Sequence, residues 1–164
     1  MTLRFKIIHD QEIIIDNEDW DLMNYTWTPV KGKDKRTTYA TAKPYGYKRG
    51  TFRMHRIILE RVLERPLEKW ELVDHENSNG LDNRRCNLRL ANQSQSSANT
   101  RPQLRVAFKG VHAVIRRSGS VRYRATIAPN GKSKHLGYFD TAEEAHEEYK
   151  KAAIKYFGEY ARWE

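Results

Sequence analysis

Cysteine is almost missing from this chain of 164 residues: Cys86 stands alone. One thiol excludes an intramolecular disulfide and any zinc site built on paired cysteines. It suits a reducing, intracellular setting, with Cys86 itself expected as a small, semi-buried filler in the loop before Asn87. Long apolar runs are missing too. No stretch approaches the roughly 18–20 residues of a spanning helix, and the first residues lack the apolar stretch of a secretory signal. A cytoplasmic protein with no membrane partner is expected. The third absence is local: residues 101–139 hold nine Lys or Arg and no Asp or Glu.

What the chain does have is charge. Charged residues make up 31% of it against 38% hydrophobic, and the net charge is +9. That balance points to a polyanionic partner. Within residues 101–164 all seven acids fall after position 139. The basic and acidic stretches are therefore separate surfaces of one unit. The length allows one ordinary domain or two small ones. Small domains bury a lower fraction of their surface and are only modestly stable.

Periodicity predicts two short strands at residues 4–8 and 12–15 across a His-Asp-Gln turn. A short helix through Trp20, Met23 and Asn24 follows, capped by Asp16 or Asn17. Strands are predicted at residues 37–43 and 51–54, joined by a Pro/Gly/Tyr loop. A helix over residues 55–63 presents Ile58, Leu59, Val62 and Leu63 on one face and ends at Pro66. Pro102 argues against a helix through residues 101–108, which read as a linker. Beyond it the pattern is strand, strand, strand, helix. Strands at 110–117, 121–128 and 132–139 are separated by Ser118-Gly119-Ser120 and Pro129-Asn130-Gly131 turns. Thr141 and Glu144 form a capping box. Ala142, Ala145, Tyr149, Ala152, Ala153 and Tyr156 mark the helical stripe, and Gly158 ends it.

Strand alternation gives the C-terminal sheet two unlike faces. Val111, Ala113, Ile115, Val121, Tyr123, Ala125 and Ile127 face the helix. His112, Arg116, Arg122, Arg124, Thr126, Ser133 and His135 lie opposite, on a cationic face able to meet phosphates and base edges of double-stranded DNA. The run from Lys109 to Ala161, above all GYFDTAEEA, closely resembles the plant Apetala-type (ethylene-response factor) DNA-binding domain. In that family the sheet lies in the major groove. By position, Arg116, Arg122, Arg124, Thr126 and His135 match its DNA-facing places. His112 and His135 depart from it, standing where plant members often have arginine or tryptophan.

The segment LVDHENSNGLDNRRCNLRLANQSQSSAN, from Leu72 to Asn99, carries a different chemistry. An Asp-His pair ends an apolar run, an Asn-rich loop follows, and a second apolar run leads into a polar segment. Asp74 offers oxygen to a hard cation such as Mg²⁺ or Mn²⁺. His75, an imidazole that titrates near neutrality, can take a proton from water. Alternation points the two to opposite sides, so the strand must end or twist there. The order DH…LDNR…NLRLA resembles the HNH nucleases, whose site is a two-stranded ribbon on a helix with one divalent ion between them.

The resemblance implies that Asn87 is the middle Asn, bonding across the ribbon to hold the base. It also implies a second metal ligand at the position of Ser96, where the family variant with Asp before His usually has Asn. Ser96 itself, a water in its place, or Asn99 from one turn on are three ways to complete the site. A weakened or dead site is a fourth outcome. The HNH subtype with a cysteine-held zinc is excluded by the single thiol. Tyr39 and Met54-His55-Arg56-Ile57 resemble the lead-in to such sites, with Arg56 as a phosphate contact and His55 as a structural neighbour.

The expectation is an α+β protein. Residues 1–100 form a mixed β/α HNH domain with a ββα-metal motif. Residues 101–108 link it to an Apetala-type domain at 109–164, a three-stranded antiparallel sheet packed on one helix. The combination resembles phage and intron-associated homing endonucleases. It implies a metal-dependent phosphodiester hydrolase acting on DNA, leaving 5′-phosphate and 3′-hydroxyl ends; no protein partner is implied. The rival expectation is a non-catalytic DNA-binding regulator with a lapsed nuclease half.

Overall fold

The computed structural model describes residues 1–6, 11–32, 37–43, 51–100 and 108–163. The predicted linker therefore lies, apart from Phe108, outside the described residues, as do most of the turn after β1 and the loop at 44–50. The chain is mixed α+β and divides into two compact units, Met1–Ala91 and Asn92–Glu164.

The first unit opens with an antiparallel hairpin of β1 (Thr2–Lys6) and β2 (Glu12–Asp16), with Leu3 opposite Ile15 and Phe5 opposite Ile13. Alternation sends Ile13 and Ile15 wholly into the core. The predicted helix after it is a 3-10 segment, Asn17–Asn24, broken at Asp19. Neither expected cap operates, because the Asp16 carboxylate accepts from the Arg85 backbone N–H at 2.8 Å instead. Asp19 is fully buried and meets Arg85 at 2.9 Å and Arg61 at 3.0 Å. These distant partners outweigh local helix geometry.

β3 (Thr28–Lys31), β4 (Thr38–Ala42) and β5 (Phe52–Arg53) form a three-stranded antiparallel sheet in that order. β3 was not expected, since Pro29 disfavours a strand. It is an edge strand, where proline is tolerated. Helix α1 (Met54–Leu63) starts one residue earlier than expected and ends at Glu64, which takes a left-handed φ of 53° two residues before Pro66. Its buried stripe is Met54, His55, Ile58 and Leu59, while Val62 is exposed. The expected stripe is thus rotated toward the helix start, which brings His55 inside. β6 (Leu72–His75) and β7 (Leu88–Ala91) form an antiparallel ribbon. α1 packs against β4, β6 and β7.

The second unit contains α2 (Gln93–Ala98), the sheet β8 (Val111–Ile115), β9 (Val121–Ile127) and β10 (Lys134–Phe139), and α3 (Ala142–Phe157). The sheet order is β10-β9-β8, all antiparallel, and α3 packs on it. Both helices carry capping boxes, Asn92 with Gln95 and Thr141 with Glu144. α2 is tied down by Lys109, whose ammonium donates to the carbonyls of Ala98, Thr100 and Arg162. These absorb carbonyls that the helix end would leave unpaired.

The core under the sheet is shorter than the strands. Val111, Ala125 and Ala145 form one cluster, and Ile127, Tyr149, Ala152 and Ala153 another. Ile115 and Val121, expected on the buried row, are 75% and 46% exposed because they pair at the hairpin tip outside both clusters. Tyr156 also leaves the expected stripe and accepts a hydrogen bond from Lys134 at 3.1 Å. His146 takes an unexpected buried place, stacked on Phe108. Cys86 is exposed rather than semi-buried, since Asn87 and Leu88 take the inward positions beside it. No helix among the described residues is long and apolar enough to cross a membrane.

Candidate active site

Asp74 and His75 are the last two residues of β6, and both are buried. Register places Asp74 opposite Arg89 and His75 opposite Leu88. Arg89 Nε donates to Asp74 Oδ2 at 2.9 Å. His75 lies on the other face of the ribbon, as alternation requires. There its ring centroid is 5.2 Å from that of His55, edge to face, and 5.8 Å from that of Tyr39. Tyr39 and His55 are themselves 5.1 Å apart. The three rings come from β6, α1 and β4, so the tertiary fold and not the motif assembles this wall.

The loop after β6 closes the site. Asn87 is its anchor. Its Oδ1 accepts from the Asn77 backbone at 3.0 Å, and its Nδ2 donates to Asp82 O at 2.7 Å and Asn77 Oδ1 at 3.1 Å. Asn77 in turn donates to Asp82 Oδ2 at 2.8 Å. Asp82 also takes Arg84 Nε at 2.8 Å and Arg84 Nη2 at 2.6 Å. Burial alone would raise the Asp82 carboxyl, but Arg84 and Asn77 bring it below its usual range. The other side of the loop is held by β2, where Ile14 donates to Leu81 O at 3.0 Å and accepts from Asn83 N at 2.7 Å.

Asn83, fully buried, is the side chain that reaches the histidine. His75 Nε2 lies 3.4 Å from Asn83 Oδ1, and Asn83 Nδ2 donates to Leu81 O at 3.2 Å. The amide oxygen therefore faces the imidazole, and a ring proton on Nε2 would donate to it. Burial pushes the His75 pKa down to about 4, against weaker upward pulls from Asn83 and Asp82. His55 is held well below its ordinary value, first by burial and then by the neighbouring charges of His75, Arg53 and Arg56. Both imidazoles are neutral at pH 7.

For a hard cation, the end of β6 offers a single carboxylate among the described residues. Asp74 supplies carboxylate oxygen, and it already holds a cation in the Arg89 guanidinium. No group of three His, Cys, Asp or Glu converges among the described residues. A magnesium-like ion bound through one carboxylate keeps most of its shell as water or substrate phosphate.

Over 133 residues, 81% of its length, the chain is 31% identical to an uncharacterized HNH endonuclease, L560, of Acanthamoeba polyphaga mimivirus. The match spans 68% of that protein. The chain belongs to the HNH endonuclease family. No family model matches it, and no solved structure matches it.

Other expected site residues of this HNH-family chain are placed as follows. Arg56 donates to Glu71 O at 3.0 Å and Leu67 O at 3.3 Å, which ties α1 to the approach to β6. Ser96 and Asn99 belong to the second unit, Ser96 half-buried on α2. Asn99 is the C-cap of α2, buried, and its Oδ1 accepts from Arg162 Nε at 3.1 Å. The sequence reading missed Asn83, Asn77 and Arg89. Arg89 was within reach of it, because aligning LVDH antiparallel to LRLA sets Asp74 against Arg89.

On the second unit's sheet, His112, Arg124 and Tyr138 form one cross-strand row, and Thr126 pairs with His135. Directly paired residues share a face, so this row and Arg122 lie away from α3. The Arg124 side chain is exposed and makes no hydrogen bond or ion pair with the described residues. Arg122 is occupied: it donates to Phe139 O at 3.1 Å and Tyr138 O at 3.0 Å, and meets Asp140 at 2.9 Å. Arg116 sits past the end of β8 in the turn, its N–H on Ser120 O, and Ser133 precedes β10. Both are exposed.

Proposed function

We propose that this HNH-family chain is a metal-dependent DNA endonuclease of the phage or intron-encoded homing type, hydrolysing phosphodiester bonds. The observation that carries the reading is the end of β6. His75 follows Asp74 there on the opposite face of the ribbon, walled by Tyr39 and His55, with Asn83 Oδ1 facing its ring and the loop behind it pinned by Asn87. His75 takes the proton from the attacking water. The imidazole is already neutral at pH 7, and an arriving phosphate, being anionic, favours its protonated form. Asn87 is a positioning residue that holds the loop carrying Asn83. Asp74 would hold Mg²⁺ or Mn²⁺, and the resemblance to HNH nucleases puts the second protein ligand at Ser96. When bound, that ion polarises the scissile phosphate and stabilises the leaving oxygen.

Double-stranded DNA is the substrate. The face bearing His112, Arg116, Arg124, Thr126, Ser133 and His135 binds it as an Apetala-type domain would, with Arg122 nearer a structural part. Arg56 reaches the backbone near the cut only by leaving its carbonyl partners.

A second reading, a DNA-binding regulator with a lapsed site, draws on Ser96 and on the Arg89 charge already seated on Asp74. Cleavage of supercoiled plasmid by the full chain with Mg²⁺ or Mn²⁺ separates the two. His75→Ala is expected to lower the cleavage rate by ~10²–10⁴-fold, the scale of a lost general base, with gel-shift affinity unchanged. Equal cleavage by the variant removes the base assignment. A wild-type protein that binds DNA and never cuts it favours the regulator.

A further inference from the structure

Two histidines stand on the sheet face that also carries Arg124. His112 of β8 and Tyr138 of β10 flank Arg124 of β9 in one cross-strand row, and His135 pairs with Thr126 beside it on the same face. The His135 and Tyr138 rings lie 4.8 Å apart. Both imidazoles and Arg124 are exposed. We propose that His112 and His135 are DNA contacts of adjustable charge, so that duplex DNA binds this face with uptake of protons and more tightly as the pH falls. The proposal rests on the reading of this face as the DNA-binding surface.

The physical reason is linkage. Imidazole is the side chain whose ordinary titration falls between about pH 5 and 8. A phosphate brought beside it favours the charged form. Binding therefore raises the imidazole pKa, and affinity must rise as protons become more available. The surroundings leave this charge to be supplied from outside. The described groups facing the two rings are Arg124 opposite His112, Arg122 and Thr126 on either side of it along β9, and Tyr138 on β10. The nearby carboxylate of Asp140 is held by Arg122 at 2.9 Å. Lys134 is turned to Tyr156 of α3 at 3.1 Å. α3, with its glutamates, packs on the other face, where Ala145 meets Val111 and Ala125. α2, which contacts the turn at 129–131, has no charged side chain. Among the described residues no carboxylate makes a hydrogen bond or ion pair with either ring. Phosphate supplies a counter-charge that these residues do not.

The test is fluorescence anisotropy of a labelled mixed-sequence duplex with the full chain, at fixed ionic strength and without divalent ions. A one-unit rise in pKa on binding makes affinity about fourfold higher at about pH 6 than at about pH 7.5 for each histidine, so the wild type is expected to bind roughly tenfold tighter at the lower pH. His75, lowered by burial to about 4, does not titrate in that window. The double variant His112→Gln, His135→Gln is expected to lose most of the gain and to bind at both pH values as the wild type does at the higher one. His112→Arg with His135→Arg fixes the charge and is expected to bind at both as the wild type does at the lower one. Thermal midpoints confirm that the variants are folded. Arg124→Ala is expected to weaken binding at both pH values.

A wild type whose affinity does not rise as the pH falls overturns the proposal, and so does a double glutamine variant that keeps more than half of the gain. Arg124→Ala still weakened in either case leaves the face as the DNA-binding surface. Undiminished binding by Arg124→Ala together with both double variants removes the reading of the face itself.

Discussion

His75 is a histidine enclosed by other rings, and its environment makes it a pH-dependent element of stability. Burial lowers its pKa to about 4, and His55 beside it is lowered in the same sense. The unfolded chain binds a proton on each near pH 6.5, where the folded chain does not. Stability is therefore fully present above pH 6.5 and falls as the pH drops toward about 4. The His75 contribution alone is on the order of 3 kcal/mol. Thermal melts of the full chain between pH 7 and pH 4 are expected to show this loss, and His75→Gln is expected to flatten the curve. A midpoint insensitive to pH over that window would mean that these rings are hydrated and not buried. Asn83 matters at the same scale, because its amide oxygen faces the His75 ring at 3.4 Å.

At the scale of elements, the ribbon and its loop depend on a close approach to a different sheet. A Cβ at Gly80 would meet the backbone carbonyl of Thr38, with Thr37 Cγ2 and Tyr39 Cδ1 each at 2.8 Å. A carbonyl in a paired strand does not move aside easily. Gly80→Ala is expected to destabilise the protein by ~1–3 kcal/mol, the usual cost of overpacking. It is also expected to lower cleavage, since Tyr39 and the loop that carries Asn83 are both displaced. Denaturant midpoints and plasmid cleavage measured on the same variant check it. A fully stable, fully active variant would show that the loop is not seated against β4. By contrast, a Cβ at Gly119 meets nothing within 4 Å, although its φ of +83° still favours glycine.

For the whole molecule, charge is the dominant property. With a net charge of +9 and a long stretch lacking acids, DNA binding by counterion release is expected. A protein making about six phosphate contacts loses roughly 10³-fold in affinity between about 50 and 200 mM salt. Gel shifts of the full chain across that range are expected to show a linear fall of log affinity with log salt. A flat response would show that the basic face serves something other than DNA. Membership of the HNH family points to DNA as the substrate.

The sequence by itself determined the α+β class, the hairpin at the start, the C-terminal sheet-and-helix order, the Thr141 capping box and the Asp74-His75 pair. All of these follow from local rules: period-2 or helical spacing, turn residues, and side chains that bond within a few positions. Only the tertiary structure decided what surrounds them. Tyr39, His55 and Asn83 reach His75 from β4, α1 and the loop, and Asp19 meets Arg61 and Arg85 from more than forty residues away. The same holds for the errors. The 3-10 break at Asp19, the rotated α1 stripe and the exposed Ile115 each arise because a buried ion pair, a packed ring or the limit of a small core overrides local preference. Periodicity reports which face of an element is apolar; it carries no record of which distant side chain will come to cover it.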